Sequence, residues 1–409
     1  MGMIKSSAVN HLGNASERCK VFARFKRIIF NWVSTLARAS AYALTRALPK
    51  SRTAVLRGFP PYEDNLIAIY SALKSRPINR VVWVVDNPTI VPPVPLRKNT
   101  RLVKRGSLLD IYYSTTSRYL FLTHGHFLRS TPTNQVSVNL WHGIPFKAIG
   151  KTMGLEGRSD SFLVATSKFT RDVFAQAFEM PNDRIIVTGQ ARTDRMLNVD
   201  KQAIWDRTFP GLSRPRKVIL WLPTFRSKPS FKEQPNGEVP NNIFNCRDFS
   251  EPAFNALLKK NDAVCLVKPH PMAVYQGSEN SSNMLFINER WLQDRKLSLY
   301  ELVGASDCLI SDISSVIADF MLLDRPIILL FEDIESYKDN RGFSFNPITD
   351  FLPGDVALNF ESFLVQMKSV LAGNDPYASR RSELKRLFFD HFDNDASNRI
   401  LDYSMDSSL

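Results

Sequence analysis

The sequence predicts an α/β protein built as two Rossmann-like halves with a cleft between them, and three observations predict it. From Arg52 onward, short apolar runs alternate with helical stretches, the pattern of βαβ units and a parallel sheet. The alternation breaks between 200 and 216, where Pro210, Gly211 and Pro215 mark a linker, and then restarts. His142 in the first half and His270 in the second each follow an apolar run. In an open α/β sheet that is where ligands bind, outside the carboxyl ends of the strands.

A chain of 409 residues with 44% apolar content is long enough for two ordinary domains and an appendage. The formal charge of +13 favours a polyanionic partner: nucleic acid, anionic lipid or a phosphate-rich substrate. No RNA-binding aromatic signature, zinc-finger spacing or homeodomain-like basic helix is present, so nucleic acid is the weakest of the three. Cys19, Cys246, Cys265 and Cys308 show no CxxC spacing and read as reduced core thiols. With them and six scattered histidines, no metal site is expected.

The first 17 residues are polar. Between 18 and 48 a helical pattern places Phe22, Phe25, Ile29, Trp32, Val33, Leu36 and Ala43 near one face, with Lys20, Arg24, Lys26, Arg27, Arg38 and Arg46 around the rest. No acidic residue lies between Arg18 and Lys50. No run approaches the ~20 uncharged apolar residues of a membrane span. The segment reads instead as a basic amphipathic helix lying on an anionic membrane surface, where each basic residue contributes on the order of 1 kcal/mol. A helix packed on the protein's own core is the alternative. A signal peptide is a third reading, which Asn31, Ser34 and Thr35 weaken.

In the first half, strands are expected at 53–56, 81–85, 101–104, 119–123, 136–140, 161–165 and 185–187, with a helix at 65–75. In the second, strands are expected at 218–222, 263–267, 285–288, 308–310 and 326–331. Helices are expected at 253–260, 300–303, 314–323, 360–371 and 380–392. The polar, Pro-rich stretch 227–245 reads as a loop or lid. The resulting domains are 1–50, a membrane-docking segment, 51–205, the first Rossmann-like half, and 206–409, the second. Which strands pair does not follow from these patterns.

Polar groups collect at the strand ends. Thr224 and Arg226 follow one strand, Lys268 and His270 another, and Asp312, Ser314 and Ser315 a third. A helix starting near Ser314 offers free backbone N–H groups and partial positive charge, a seat for phosphate. Simple capping by Ser314 is the competing reading, and the convergence of Arg226, Lys268 and His270 favours phosphate. Pro269 and Pro271 restrict the backbone on both sides of His270. His124 and His126 also end a strand but lack such a frame. Gly143, Lys147, Arg192, Asp194 and Asp319 are candidates for lining the cleft, each with a structural alternative.

Taken in order, these motifs resemble a known family. They are Trp141-His142-Gly143 with Pro145, Lys147, Ile149 and Gly150; Gly189 with Arg192 and Asp194; Pro223-Thr224-Phe225-Arg226; Lys268-Pro269-His270; Ser311-Asp312-Ile313-Ser314-Ser315; and Arg341-Gly342. The set, spanning residues 52–353, is similar to the CDP-glycerol glycerophosphotransferase family of teichoic acid primases, polymerases and related capsule polymerases. Ile144, Ile313 and Thr193 depart from the family's usual residues.

The resemblance implies a GT-B fold and a peripheral enzyme on the cytoplasmic face of the cell membrane. It implies a CDP-glycerol or related CDP-polyol donor, a lipid-linked glycan acceptor, and no cofactor. It maps the family's two histidines to His142 and His270. CMP, a phosphate monoester with a second pKa near ~6, leaves without a proton donor if its charge is held. On that scheme His142 is the general base, His270, Arg226 and Lys268 stabilise the diphosphate, and the Ser314–Ser315 helix start holds the CMP phosphate. Asp319 orders the site or touches ribose or glycerol. The rival readings are a GT-B glycosyltransferase using a nucleotide sugar and a catalytically silent, membrane-bound assembly partner in envelope polymer synthesis. The polyol, the acceptor and the oligomeric state are not legible.

Overall fold

The computed structural model describes residues 38–124, 130–153, 160–224, 244–270 and 283–406. The chain begins with α1 (residues 38–47), β1 (Ser51–Arg57), α2 (Asp64–Ala72), β2 (Arg80–Val85), β3 (Thr100–Lys104), α3 (Leu108–Thr116), β4 (Ser117–Leu122), β5 (Val136–Asn139), β6 (Phe162–Ala165), α4 (Lys168–Phe178), β7 (Ile185–Val187), α5 (Ala191–Leu197) and α6 (Lys201–Thr208). It continues through β8 (Lys217–Leu222), α7 (Glu251–Lys260), β9 (Ala263–Val267), β10 (Met284–Phe286), α8 (Glu289–Asp294), α9 (Leu299–Ala305), β11 (Cys308–Ser311), α10 (Val316–Met321), β12 (Ile327–Leu330), α11 (Ile334–Asn340), β13 (Val356–Ala357), α12 (Phe360–Leu371), α13 (Ala378–Phe388) and α14 (Ala396–Asp406).

The strands form two parallel sheets, as the alternation predicts. The first runs β3-β2-β1-β4-β5-β6-β7 and the second β10-β9-β8-β11-β12-β13. Strands covered on both faces carry unbroken apolar runs. In β2, RVVWVV, every residue after Arg80 is buried, and Val81 to Val84 are fully so. The Trp83 indole is satisfied by the Pro61 carbonyl at 2.8 Å. Chain order reverses between β1 and β4 in the first sheet and between β8 and β11 in the second. Those two switch points are where such sheets take ligands.

Two features of the lobes' junction were not legible. The stretch 200–216 is not a bare linker: α6 occupies its first part, N-capped by Asp200, which accepts from the Gln202 and Ala203 amides at 2.9 and 3.1 Å. Ile204 and Trp205 bury into the second lobe's core. The Pro and Gly signals at 210–215 follow this helix rather than replace it. The last helix, α14, returns to the first lobe, where Ile400 and Leu401 are fully buried in that lobe's core beside α2. At the centre of the junction, α9 of the second lobe lies against α5 of the first. A Cβ on Gly304 would stand 2.3 Å from the Met196 carbonyl oxygen, so the approach needs glycine.

Among the described residues, no helix is long and apolar enough to cross a membrane. Residues 1–37 of the expected amphipathic segment, with Cys19, lie outside the described residues, as do His126, Arg226, Pro271 and all of the expected loop or lid 227–245 but Phe244 and Asn245, which are buried. Cys246, Cys265 and Cys308 are buried, as expected of core thiols.

Candidate active site

The segment after β5 crosses from one lobe into the other. Trp141 sits at φ +58° and Gly143 at φ +97°, so the chain turns sharply on both sides of His142. The Trp141 amide donates to Asn139 Oδ1 at 3.0 Å, and its ring packs on Phe174 and Phe178 of α4. That anchors the first half of the segment. Beyond Gly143 the chain enters the second lobe's core, where Ile144 and Phe146 are buried. The Phe146 ring lies 5.8 Å from Phe345 and 5.6 Å from Phe388. Lys147 forms an antiparallel bridge with Phe343. The Ser344 amide donates to the Phe146 carbonyl at 3.0 Å and the Ala148 amide to the Gly342 carbonyl at 3.1 Å. Residues 141–148 are thus a strap between the lobes, and they carry His142 and Lys147.

His142 is fixed from both sides. Its carbonyl accepts from Ser315 Oγ of the second lobe at 2.8 Å and from Arg192 Nη2 of the first at 2.9 Å. Its ring lies 5.2 Å from Trp141 and 4.4 Å from the ring of His124, which ends the neighbouring strand β4. His124 Nδ1 is 3.1 Å from Thr123 Oγ1, and Phe59 meets the ring edge-on. In the sequence His124 ends a strand without a frame like that of His270. The frame is the pairing of β4 with β5, which brings two strand-end imidazoles together.

Arg192 is the knot of the junction. Its Nη2 donates to Asp319 Oδ2 at 2.6 Å, and Tyr300 donates its hydroxyl to the same oxygen. The Asp319 side chain is fully buried and that of Arg192 is 8% exposed. The guanidinium also lies over the Tyr300 ring at 4.9 Å and 4.0 Å from Glu63. Burial opposes the charge on Arg192, but Asp319, Tyr300 and Glu63 outweigh it and hold its pKa above the usual arginine value. Burial pushes Glu63 up to about 7, against the pull of Arg192. A Cβ on Gly143 would come 2.2 Å from Arg192 Nη2, so the strap passes the guanidinium only as glycine. Asn65, fully buried, completes the knot: its Oδ1 accepts from the Arg192 amide at 3.0 Å and its Nδ2 donates to the Trp141 carbonyl at 3.4 Å.

Three expected cleft residues therefore have their heads engaged at the junction: Arg192, Asp319 and Ser315. The expected helix start also differs. α10 begins at Val316, and Ser315 makes no side-chain cap. Its hydroxyl reaches His142 instead. Ser314, half-buried, accepts from the Val316 amide at 3.4 Å. Asp194 faces away from this cluster. Its carboxylate accepts from the Ala396 and Ser397 amides at 2.9 and 2.7 Å and caps α14, where the helix N-terminus favours negative charge.

The second lobe's switch point brings Thr224 and Asp312 together. Asp312 accepts from Thr224 Oγ1 at 2.7 Å and from Asn245 Nδ2 at 3.0 Å, fixing the turns after β8 and β11. Lys268 is paired with Glu289 of α8 at 2.6 Å, its side chain 6% exposed. His270 has its pKa lowered to about 4, first by loss of water around the ring and then by the ammonium groups of Lys147 and Lys268. Lys147 belongs to the strap, so a cation from the first half of the chain acts on the second-lobe imidazole. At neutral pH His270 is uncharged and can donate one N–H.

Among the described residues, Cys246, Asp248 and Glu332 have ligand-type atoms within 4.8 Å of one another. The Cys246 thiol donates to Asp248 at 3.1 Å, and burial holds its pKa above the usual thiol value. Glu332 is bonded by the Arg247 amide at 2.6 Å. A protonated thiol is a poor ligand.

Three comparisons with known proteins bear on this site. The profile of the CDP-Glycerol:Poly(glycerophosphate) glycerophosphotransferase family matches residues 40–405. The chain is 26% identical over 368 residues to the teichoic acid ribitol-phosphate primase of Bacillus spizizenii, covering 83% of this chain and 87% of that protein. It is 26% identical over 402 residues to the teichoic acid glycerol-phosphate transferase of Staphylococcus aureus, covering 91% of this chain and 98% of that one. Of the poly(glycerol phosphate) polymerase of Staphylococcus epidermidis it spans 48%. The wall teichoic acid polymerase TagF superposes with a TM-score of 0.71 at 22% identity, covering 94% of this chain and 97% of that one. The two-lobed GT-B-like fold is shared with TagF.

Proposed function

Because the chain belongs to the CDP-glycerol:poly(glycerophosphate) glycerophosphotransferase family, we propose that His142 is the general base of a polyol-phosphate transfer and that His270 holds the donor's diphosphate. The chain is a transferase that moves a polyol-phosphate unit from a CDP-activated donor to a teichoic-acid-type acceptor. The acceptor hydroxyl attacks the polyol-side phosphorus, the bond from that phosphorus to the bridging oxygen breaks, and CMP leaves. The hydroxyl proton passes to His142. A base so placed contributes typically about 10²–10⁴-fold.

The observation that carries this reading is the strap. It holds His142 at the lobes' junction and places Lys147 close enough to lower the proton affinity of His270. Lys147, His270 and Lys268 supply positive charge and an N–H donor on one side of the cleft; the Ser314 hydroxyl stands at the second switch point, beside the turn where Asp312 holds Thr224. Fixed donors aimed at developing charge act without reorganising. Arg226 completes this set on the sequence's order of motifs. The geometry shifts the weight of the diphosphate away from Lys268, which Glu289 partly neutralises, and towards Lys147.

The acceptor is lipid-linked and the enzyme peripheral on the cytoplasmic membrane face, in keeping with the basic segment before α1. The polyol is glycerol or ribitol. The test is CMP release from CDP-glycerol and CDP-ribitol with a lipid-linked acceptor. His142→Ala and His270→Ala each lower turnover by at least about 100-fold while the far-ultraviolet circular dichroism stays that of the wild type. Near-full activity in either variant refutes the role given to that residue.

A further inference from the structure

Helix α3 is built inside out. Its inner side carries Asp110, 3% exposed, which pairs with Arg57 and accepts from the Gly106 amide at 2.8 Å and Ser114 Oγ at 3.1 Å. Tyr113 and Thr115 are buried beside it. Leu108, Leu109, Ile111 and Tyr112 point outward, 85, 43, 54 and 55% exposed. A helix meeting water on its outer face has the reverse arrangement. Large apolar side chains gathered on one exposed face mark an interaction site.

The rim of this face is cationic. The Tyr113 hydroxyl accepts from both Arg80, at 3.0 Å, and Arg101, at 3.3 Å, and each arginine is otherwise exposed. Lys104 stands exposed at the end of β3, and the one acid of the helix is neutralised by Arg57. At the other end of α3, the Thr115 carbonyl accepts from Lys50 Nζ at 2.7 Å, and the same ammonium bonds the Leu48 carbonyl just after α1 at 3.1 Å. Asn134 Nδ2 holds the Arg46 carbonyl at 2.8 Å. The acid-free basic segment 18–50 therefore ends against α3, and α1 adds Leu44, 52% exposed.

We infer that the outer face of α3, together with α1, docks on a bilayer containing anionic phospholipid. Apolar side chains enter the acyl boundary while arginine and lysine stay at the headgroups, the arrangement of an interfacial helix. The placement has a consequence for the acceptor. Arg105, between β3 and α3, donates to the Gly58 carbonyl at 2.7 Å. Gly58 lies against Thr123, which meets His124, whose ring lies tilted against that of His142. The amino end of α3 thus shares a rim with the base, so an acceptor held by its lipid reaches the cleft along the docked side. This rests on the reading that the acceptor is lipid-borne.

The experiment uses the full chain. Leu108, Leu109, Ile111 and Tyr112 are replaced together by Ser, and co-sedimentation is measured with vesicles of phosphatidylcholine alone or mixed with phosphatidylglycerol. The wild type partitions onto the anionic vesicles, and the variant partitions at least about tenfold less. Its turnover on a water-soluble acceptor stays that of the wild type. In an otherwise native chain, Tyr112→Trp emission shifts to the blue on adding anionic vesicles. Equal partitioning of variant and wild type overturns the α3 surface and leaves the lipid-borne acceptor standing. Transfer to a soluble acceptor but never to a vesicle-bound one overturns that reading instead. Emission already blue before lipid is added means that protein covers the face, either the amino-terminal segment or a second copy, and also overturns the inference.

Discussion

Replacing Asp319 by Asn distinguishes a junction lock from a substrate contact. The substitution keeps the shape and one acceptor oxygen but removes the charge opposite Arg192. Both side chains are buried, with Asp319 fully so, and the bond between them is 2.6 Å. Breaking a buried pair by removing one partner costs about 3–5 kcal/mol, because the remaining charge loses its compensation. Glu63, 4.0 Å from the guanidinium and with its pKa near 7, ionises more readily in the variant and offsets part of that loss. The expected destabilisation is therefore about 3 kcal/mol, at the lower end of that range. Urea unfolding followed by tryptophan fluorescence measures it, alongside KM for the CDP donor. Arg192→Met combined with Asp319→Leu should cost less than Asp319→Asn alone, since no charge is stranded. Unchanged stability with a raised KM would return Asp319 to the substrate, and a double variant as damaged as the two singles summed would refute the lock.

Three further outcomes follow from the same geometry. Glu63 has a folded pKa raised to about 7 from 4.5, so its contribution to stability is full below pH 4.5 and is lost as pH rises through 7; Glu63→Gln should match the wild type near pH 5 and gain thermal stability over it by pH 8. Gly143→Ala places a methyl on Arg192 in a backbone conformation that costs on the order of 1 kcal/mol or more for any other residue, and calorimetry should show a lowered Tm together with reduced CMP release. Lys147→Met removes the strap's charge from beside His270, so the His270 ring signal followed by NMR should titrate above pH 4.

Much of the fold was legible because its signals are local. Apolar runs such as RVVWVV and KVILWL can only be covered strands, and each expected strand of the two halves is present. The strand-end position of His142 and His270 was legible for the same reason. What escaped were relations between distant residues. Asp194 reads from sequence as a cleft acid, yet its partners are the amides of α14, about 200 positions away. Ser315 reads as part of a helix start that seats phosphate, and its bond to His142 depends on how the lobes meet. His124 lacked a frame until β4 was seen to pair with β5. α3 went unseen because its apolar residues face outward, so that neither a core-facing stripe nor a strand alternation marks it.

The strap also bears on how the lobes can move. Drawing His142 away from the turn after β11 breaks its carbonyl's bond to Ser315, separates Arg192 from Asp319 and extracts Phe146 from the second lobe's core. It further breaks the backbone bonds at Ala148 and Ser344. Each hydrogen bond contributes about 1 kcal/mol net, and a buried Phe about 1.5–3 kcal/mol. The sum is comparable to the whole stability of an ordinary domain, about 5–15 kcal/mol. Lobe separation wide enough to release the base is therefore as rare as partial unfolding. The distance from His142 to the second switch point is set by the folded chain, and bound donor need not draw the lobes together to create it.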